Sequence, residues 1–284
     1  EDIWCERVFA PWLDMEKIMR EKNMPLYGLE SKSPLNEFDF VMFTLQYEMS
    51  YTNILNMLDL SNIAILSKDR AEDAPFVIAG GPCAYNPEPL APFVDIFYIG
   101  EGEVMYDELM DRYKAFKASG KSREEFLISI LDMPGIYVPK FYDVVYNEDG
   151  TIKERISLHP NAPETIKKVI VDDVDNVFYP DRQVVPWIRA VHDRVTLEMF
   201  RGCIRGCRFC QAGMIYRPVR QKSKEVLIGH AKKLLKSTGY EEISLASLST
   251  SDYKDLENFS DELLDLCNSE YVNVSLPSLR VDAF

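Results

Sequence analysis

The sequence predicts an α/β protein, in which an open, doubly wound parallel-sheet domain precedes a second region of alternating strands and helices. Two observations predict this class. Short, continuously apolar runs alternate with segments of helical period, and the alternation stops over a proline-rich stretch before it resumes. Continuously apolar strands are typical of parallel sheets that helices cover on both faces. With 284 residues, the chain is long enough for two domains with separate cores.

The first domain is predicted over residues 1–120, where apolar runs mark the strands and periodicity marks the helices. The runs DFVMFTL and APFVIAGG are apolar almost throughout, so both are expected to be buried strands. The helices place apolar residues three or four positions apart, as an amphipathic helix on a sheet does. In order, we predict a short strand at 6–12, a helix at 13–23, a strand at 39–45, a helix at 51–60, strands at 74–81 and 95–103, and a helix at 104–117.

Residues 121–186 are predicted as a linker, because proline and turn residues replace the regular alternation. Within it, a short hairpin is expected around a turn at 147–150. The second domain is predicted over 187–284, where the alternation resumes. Its elements in order are a strand at 194–200, a helix at 223–237 with Ser223 as its cap, a strand at 241–248, a helix at 251–268 and a strand at 272–280.

The charge balance limits the partners. A net charge of −14 repels nucleic acid over most of the surface, so that binding to a polyanion is not expected without another protein. Residues 201–224 are the exception, with seven Arg or Lys and no acid. This stretch is interpreted either as a solvated basic loop or as a positive patch for an anionic cofactor or substrate.

Location and redox state can also be predicted. The longest apolar runs are far shorter than the roughly 18 residues that span a bilayer, and no signal peptide is visible, so a cytoplasmic protein without membrane contact is expected. The chain contains six cysteines, of which Cys5, Cys83 and Cys267 are isolated and are assigned to hydrophobic cores.

The other three cysteines lie together in RGCIRGCRFCQAG, which follows a predicted strand. Parallel α/β folds build active sites at the carboxyl ends of strands. Three thiolates leave a tetrahedral zinc site one ligand short, whereas a 4Fe–4S cluster held by three cysteines keeps one iron open to a ligand. Gly202 and Gly206 are expected to supply the backbone angles and close approaches that a cluster-binding loop needs.

The spacing Cys203-x-x-x-Cys207-x-x-Cys210, with the aromatic Phe209 before the third cysteine, resembles the signature of radical S-adenosylmethionine enzymes. The resemblance implies that the three cysteines ligate a 4Fe–4S cluster and that Phe209 lies beside the adenosine of S-adenosylmethionine. It further implies that the cluster cleaves this cofactor to a 5′-deoxyadenosyl radical. An electron donor such as flavodoxin or ferredoxin is then expected.

Other parts of the family's cofactor site match less closely. Members commonly carry a Gly-Gly-Glu-type segment after the second barrel strand, where this chain has Ser-Leu-Ser-Thr-Ser at 247–251. The hydroxyls of Ser247 and Ser249 are candidates to replace it, and a polar helix cap is the alternative. Ser275 and Arg280 are candidates for the cofactor's carboxylate or ribose, and for Arg280 a surface ion pair is the alternative.

The first domain resembles the Rossmann-type cobalamin-binding domain found upstream of many radical S-adenosylmethionine proteins. The resemblance rests on Thr44 at a strand end, on Gly80 and Gly81 after the next strand, and on Gly100 in IGEGE. The Asp-x-His-x-x-Gly element, which supplies a histidine to cobalt in some relatives, is absent. Cobalamin is therefore one expectation, and a domain that kept this fold without the corrinoid is the other.

The combined resemblance is to a bacterial group in which these two domains precede a further carboxyl-terminal region. A radical S-adenosylmethionine (β/α) barrel needs more than the three strands predicted after Arg194, so residues 187–284 are expected to form the first half of a partial barrel. A missing carboxyl-terminal region, and a start before Glu1, which is not a methionine, are both expected.

The resulting hypothesis is a radical enzyme that modifies an unactivated carbon of an unidentified substrate, with methylation as one option. The first alternative is a radical methylthiotransferase-like enzyme without cobalamin. The second is a non-catalytic iron–sulfur or zinc scaffold, whose basic loop would contact a partner such as RNA through phosphates.

Overall fold

The computed structural model of the protein describes residues 3–188 and 190–280. The chain divides into two compact units, unit 1 at Glu1–Ile170 and unit 2 at Val171–Phe284. Over the described ranges, every helix is too short or too polar to cross a membrane. Each unit has its own hydrophobic core.

Unit 1 contains four helices and a four-stranded sheet together with a separate two-stranded hairpin among its described residues. The helices are α1 at Leu13–Lys22, α2 at Tyr51–Leu60, α3 at Tyr106–Ser119 and α4 at Arg123–Ser129. The strands are β1 at Phe40–Thr44, β2 at Phe76–Gly80, β3 at Ile96–Tyr98, β4 at Ile136–Tyr137, β5 at Tyr142–Tyr146 and β6 at Ile152–Ser157.

The main sheet of unit 1 is doubly wound, as predicted. Its order is β1-β2-β3-β4, with β1, β2 and β3 parallel and β4 antiparallel at the edge. Successive residues of β2 enter different cores, because side chains alternate between the faces of a strand. Val77 packs with the cluster that contains residues of α1 and α2, whereas Ile78 packs with the cluster that contains residues of α3 and α4. Helices therefore cover both faces.

A buried ion cluster ties unit 1 together at the amino end of β3. One carboxylate oxygen of Asp95 accepts hydrogen bonds from Arg70 and from Arg123, each at 2.7 Å, and from the Val77 amide at 2.8 Å. Both guanidinium groups also donate to backbone carbonyls. Arg123 is the first residue of α4, so this cluster joins α4 to the sheet.

Several elements of unit 1 differ from prediction. The strand predicted at 6–12 is wrong: the Arg7 amide bonds the Glu30 side chain at 2.9 Å, so this extended segment pairs with no strand. The strand predicted at 95–103 is shorter than expected, at Ile96–Tyr98, and beyond it Gly100 forms only an isolated bridge with Val169. The predicted linker contributes α4 and β4 to unit 1, and its predicted hairpin is confirmed as β5–β6.

Unit 2 contains a three-stranded parallel sheet of order β11-β10-β7 among its described residues. Its core combines residues of β7 and β10 with the apolar faces of two long helices. The Ser223 cap is confirmed, since its hydroxyl accepts from the Val226 amide at 3.4 Å. The elements are β7 at Val195–Glu198, β8 at Phe200–Arg201, α5 at Ala212–Ile215, β9 at Arg220–Gln221, α6 at Lys224–Thr238, β10 at Glu242–Ala246, α7 at Leu256–Glu270 and β11 at Asn273–Ser275.

An irregular segment at the start of unit 2 packs onto this sheet and its helices. The buried ammonium of Lys222 donates to Val174 O at 2.6 Å, and the Ser223 amide donates to the Asp175 carboxylate at 2.7 Å. Further along, the Tyr179 hydroxyl donates to Thr196 O at 2.5 Å. These contacts explain why unit 2 begins at Val171, within the stretch that the sequence predicts as a linker.

Candidate metal and cofactor site

The predicted site residues of unit 2 lie where its parallel strands end. The cysteine loop follows β8, the serine segment follows β10, and Arg280 follows β11. Because β7, β10 and β11 are parallel, their carboxyl ends share one edge of the sheet. This is the edge at which open α/β folds bind ligands.

Two glycines close the base of the cysteine loop. Gly202 has φ of 92°, and a Cβ there would lie 2.5 Å from the carbonyl oxygen of Pro218. A Cβ on Gly213 would lie 2.6 Å from the carbonyl oxygen of Arg205. Both positions therefore require glycine for close backbone approach. Gly206, which was expected to play the same part, has no atom within 4 Å of the place its Cβ would take.

The loop presents three free thiols. Cys207 and Cys210 are exposed and Cys203 is half-buried, and all three are free of disulfides. The Arg205 amide donates to Cys203 Sγ at 3.4 Å, an interaction that also stabilises a thiolate bound to iron. Cys210 donates its amide to Cys207 O at 3.0 Å, so the second half of the motif is a turn.

The donor set fits an iron–sulfur cluster held by three ligands. It consists of thiols only, on one loop, with an amide already directed at one sulfur. Within 3–188 and 190–280, no three Cys, His, Asp or Glu side chains are gathered closely enough to hold a metal ion as they stand. The exposed half of the loop would therefore have to close around a cluster.

Asp252 lies at the centre of the ionic contacts in this site. Its carboxylate accepts from Arg205 Nε at 3.1 Å and Nη2 at 2.5 Å, and from Arg280 Nη1 at 2.7 Å to both oxygens. The hydrogen bond from Arg205 is the main cause that holds the pKa of Asp252 well below its usual range. Asp252 thus stays ionised and links the cysteine loop to the end of β11.

The predicted cofactor residues are only partly brought together. Ser249 is buried and its hydroxyl lies 3.5 Å from Arg280 Nη1, so these two residues join Asp252. Ser247 instead shares a hydrogen bond of 2.9 Å with Thr250. Ser275 is a strand residue of β11 paired with Ser244 of β10. Phe209 is 94% exposed on the loop.

A buried hydroxyl beside these residues makes no hydrogen bond to any described residue. The Ser251 Oγ atom is shielded from solvent and has no hydrogen-bond partner among the described residues. A buried polar atom of this kind is costly unless it finds a partner. Ser251 lies in the serine segment after β10, where a ligand at this edge of the sheet would supply the missing hydrogen-bond partner.

Four of the seven basic residues in 201–224 pair with a carboxylate of unit 2. Arg201 pairs with Glu198 at 2.8 Å, and Arg205 pairs with Asp252 at 2.5 Å. The other contacts are Lys222 with Glu198 at 3.5 Å, Lys224 with Glu262 at 3.1 Å, Arg217 with Ile204 O at 3.5 Å and Arg220 with Val171 O at 2.6 Å. An extended positive patch for RNA is therefore not favoured.

In unit 1, Thr44 and Gly80 are adjacent in register at the carboxyl ends of β1 and β2. A Cβ on Gly81 would lie 3.0 Å from Leu45 O. Gly100, at φ of 149°, would place a Cβ 2.5 Å from Val169 O, and the two residues form an isolated parallel bridge. Close approach of the chain's own backbone therefore accounts for glycine at both positions without a ligand.

Two cavities of unit 1 have volumes of about 710 and about 400 Å³, and Arg70, Asp95 and Arg123 are among the residues that line the larger one. None of the four predicted cobalamin residues lines either of them. Binding of cobalamin at the carboxyl ends of β1 and β2 stays a prediction.

Two features of the site were missed from the sequence, and one cysteine was misplaced. Asp252 and Gly213 were not singled out, although an acid just after the serine segment and a glycine just after the motif were visible signals.

Of the three isolated cysteines, Cys83 and Cys267 are buried, as their assignment to hydrophobic cores predicted. Cys5 is exposed, so its assignment to a core is wrong; it lies on the extended segment that forms no strand.

Comparison with known proteins gives two family matches. Residues 1–139 match the family described as Radical SAM proteins, N-terminal, and residues 197–283 match the Radical SAM superfamily. The second match contains the cysteine loop, Asp252 and Arg280.

Individual relatives are longer than this chain. The uncharacterized protein MJ0966 of Methanocaldococcus jannaschii is 30% identical over 268 residues, which cover 93% of this chain and 49% of that protein. Two structures of the radical S-adenosylmethionine methyltransferase TsrM from Kitasatospora setae are 12% identical. The structure with cobalamin and a 4Fe–4S cluster has a TM-score of 0.49, and the match covers 92% of this chain and 47% of TsrM. The structure with tryptophan and aza-SAM has a TM-score of 0.46, and the match covers 92% of this chain and 46% of TsrM. The chain thus spans about half the length of these relatives.

Proposed function

Because the chain belongs to the radical S-adenosylmethionine superfamily, we propose that it is part of a radical enzyme that modifies an unactivated carbon of its substrate. One observation carries this proposal. Three thiols, none of them in a disulfide, lie on one loop at the carboxyl edge of a parallel sheet, where Asp252 links the loop to Arg280. Methylation is one form that the modification would take.

Cys203, Cys207 and Cys210 would hold a 4Fe–4S cluster and leave one iron without a protein ligand. When bound, such a cluster supplies the electron that splits S-adenosylmethionine into methionine and a 5′-deoxyadenosyl radical, which abstracts hydrogen from a substrate. A reduced flavodoxin or ferredoxin is the class of donor proposed to provide that electron. The Arg205 amide, which lies 3.4 Å from Cys203 Sγ, would donate a hydrogen bond to this ligand.

The residues around the loop would bind and orient S-adenosylmethionine. Arg280 offers a guanidinium to a carboxylate or ribose, although it already shares Nη1 with Asp252 at 2.7 Å. Ser249 and Ser251 offer hydroxyls on the segment after β10, and the Ser251 hydroxyl is buried without a partner among the described residues. Phe209 offers an exposed ring that would stack on adenine when the loop closes.

We derive no step through cobalamin, because contacts with the chain's own backbone at Leu45 and Val169 are enough to account for Gly81 and Gly100. The second candidate is a radical enzyme of methylthiotransferase type whose first unit works without cobalamin. Mixing the protein with hydroxocobalamin and desalting it separates the two candidates. A corrinoid spectrum that stays with the protein supports the cobalamin-dependent form, and its loss supports the second candidate.

The decisive experiment is anaerobic reconstitution with iron and sulfide, followed by electron paramagnetic resonance of the reduced protein with and without S-adenosylmethionine. We expect a 4Fe–4S signal that changes when the cofactor is added, and 5′-deoxyadenosine as a product. Cys203→Ala, Cys207→Ala and Cys210→Ala should each abolish this cleavage, because each removes one of only three ligands.

Cys5→Ala is the matched control, since Cys5 is also a free and exposed cysteine but lies outside the motif. It should retain the iron content and the cleavage activity of the unsubstituted protein. Cleavage that persists in any of the three motif variants would contradict the assignment, as would a cluster signal that is indifferent to S-adenosylmethionine.

A further inference from the structure

We propose that Asp252 is a positioning residue, which holds the cysteine loop in place for cluster binding through Arg205 and aligns Arg280 at the same time. The inference rests on the proposed function, since the loop is taken to bind a cluster. It assigns to Asp252 a role distinct from binding the cofactor itself.

Asp252 is fixed independently of the loop, so it can act as an anchor. Its backbone amide donates to Ser249 O at 2.9 Å, and its carbonyl accepts from Gln221 Nε2 at 3.2 Å. Gln221 belongs to β9, which pairs with β8 at the start of the loop. Asp252 is therefore attached both to the segment after β10 and to the β8–β9 pair.

Arg205 transmits this fixed position to the metal ligands. It lies two residues after Cys203, and its amide is the donor to Cys203 Sγ. The Arg205 guanidinium meets the Asp252 carboxylate through two nitrogens, an arrangement that defines orientation as well as distance. The turn of chain between Cys203 and Cys207 is thereby attached to the segment after β10.

Other contacts of the loop include the Arg217 guanidinium, which donates to Ile204 O at 3.5 Å, and the Arg205 carbonyl, which lies against Gly213. Residues 204–210 are exposed, and nothing packs near the open side of Gly206. In contrast, the side chain of Asp252 is only 18% exposed, with guanidinium groups on two sides. Loss of this carboxylate would remove the charge that the guanidinium groups of Arg205 and Arg280 share, so the loop would be held less tightly.

The first test uses the protein without iron and measures how fast iodoacetamide alkylates Cys203, by mass spectrometry. Exposed Cys5 in the same molecule is the internal standard. Asp252→Asn and Arg205→Gln should each raise the Cys203 rate relative to Cys5 by about threefold or more, as expected for the loss of an ion pair. The double variant should be no faster than the single variants, because both remove the same contact.

The second test loads the same variants with iron and sulfide and follows iron release to a chelator. Asp252→Asn should lose iron about threefold faster than the unsubstituted protein or more, before any S-adenosylmethionine is added. Glu262→Gln is the control: it removes the Lys224 ion pair in the same unit without touching the loop, and it should change neither measurement.

The outcomes separate this inference from the proposed function. If the unsubstituted protein takes up no iron, the proposed function fails, while the alkylation rates still decide whether Asp252 holds the loop. If Asp252→Asn alkylates and releases iron at the normal rates but no longer responds to S-adenosylmethionine, then Asp252 binds the cofactor and the positioning role is wrong. Unchanged rates in Arg205→Gln would overturn it as well. Circular dichroism identifies any variant that fails to fold.

Discussion

Protonation of His230 is expected to reduce the stability of unit 2. Its ring stacks on Tyr179 at a centroid distance of 4.4 Å and an angle of 9°, and its Nδ1 has no partner among the described residues. Burial lowers the pKa of His230, and the charges of Lys222 and Lys233 lower it further, against a smaller opposite effect of Asp175. The folded protein therefore favours the neutral imidazole.

We predict that unit 2 loses stability as the pH falls below about 6.5, the ordinary pKa of histidine in an unfolded chain. Below that value the unfolded chain takes up a proton that folded His230 resists, so the contribution is complete above it and declines beneath it. His230→Phe keeps the stacking and should reduce this decline. Thermal unfolding between about pH 8 and about pH 5 measures this decline in stability.

His159→Phe, in unit 1, is the control and should leave the decline of unit 2 unchanged. Equal pH profiles for His230→Phe and the unsubstituted protein would contradict the prediction.

Single site residues could be predicted from the sequence where the residue type and spacing carry the chemistry. They could not be predicted where their role depends on contacts with residues far away in the sequence. The spacing of Cys203, Cys207 and Cys210 indicated the loop directly. Asp252 could not be recognised in the same way, because its importance comes from Arg205 and Arg280, which are 47 and 28 residues away in sequence. Arg280 itself was predicted with an ion pair as the alternative, and the structure shows that ion pair.

At the scale of elements, the two glycines of the cysteine loop allow a direct test of how the loop is built. Gly202→Ala should destabilise unit 2 by roughly 1 to 3 kcal/mol, because it combines a positive φ with a contact of 2.5 Å to Pro218 O. Gly206→Ala should change stability by less than about 0.5 kcal/mol, since its Cβ would point into open space. Urea unfolding of the iron-free protein compares them, and equal effects would show that the base of the loop is not fixed as described.

The elements that the sequence predicted best are those with an unbroken pattern. β1 and β2 were recognised because Phe40–Thr44 and Phe76–Gly80 are apolar almost throughout. β4 was missed because it has two residues and makes only an edge pair with β3, so no periodic pattern can form. α4 was missed although Ser122 and Glu125 form a capping box, since the helix has seven residues and lies in a stretch read as a linker.

For the whole molecule, the hydrophobic clusters follow the division into units. The described residues of two clusters lie on the faces of the first sheet, and those of the third lie around β7 and β10. Among residues 3–188 and 190–280, each buried residue of these clusters lies within a single unit. A loss of packing in one unit is therefore expected to remain within that unit.

Asp95→Ala tests this independence, because it affects the most deeply buried charges of unit 1. The side chains of Arg70 and Arg123 are 0% and 8% exposed, and removing Asp95 leaves both as buried cations without a carboxylate. Breaking such a cluster costs about 3 to 5 kcal/mol. Hydrogen exchange should accelerate in β2, β3 and α4 but stay unchanged in β7 and β10, and iron uptake by the cysteine loop should persist. Equal acceleration in both units would mean that they unfold together, and that the cores depend on each other.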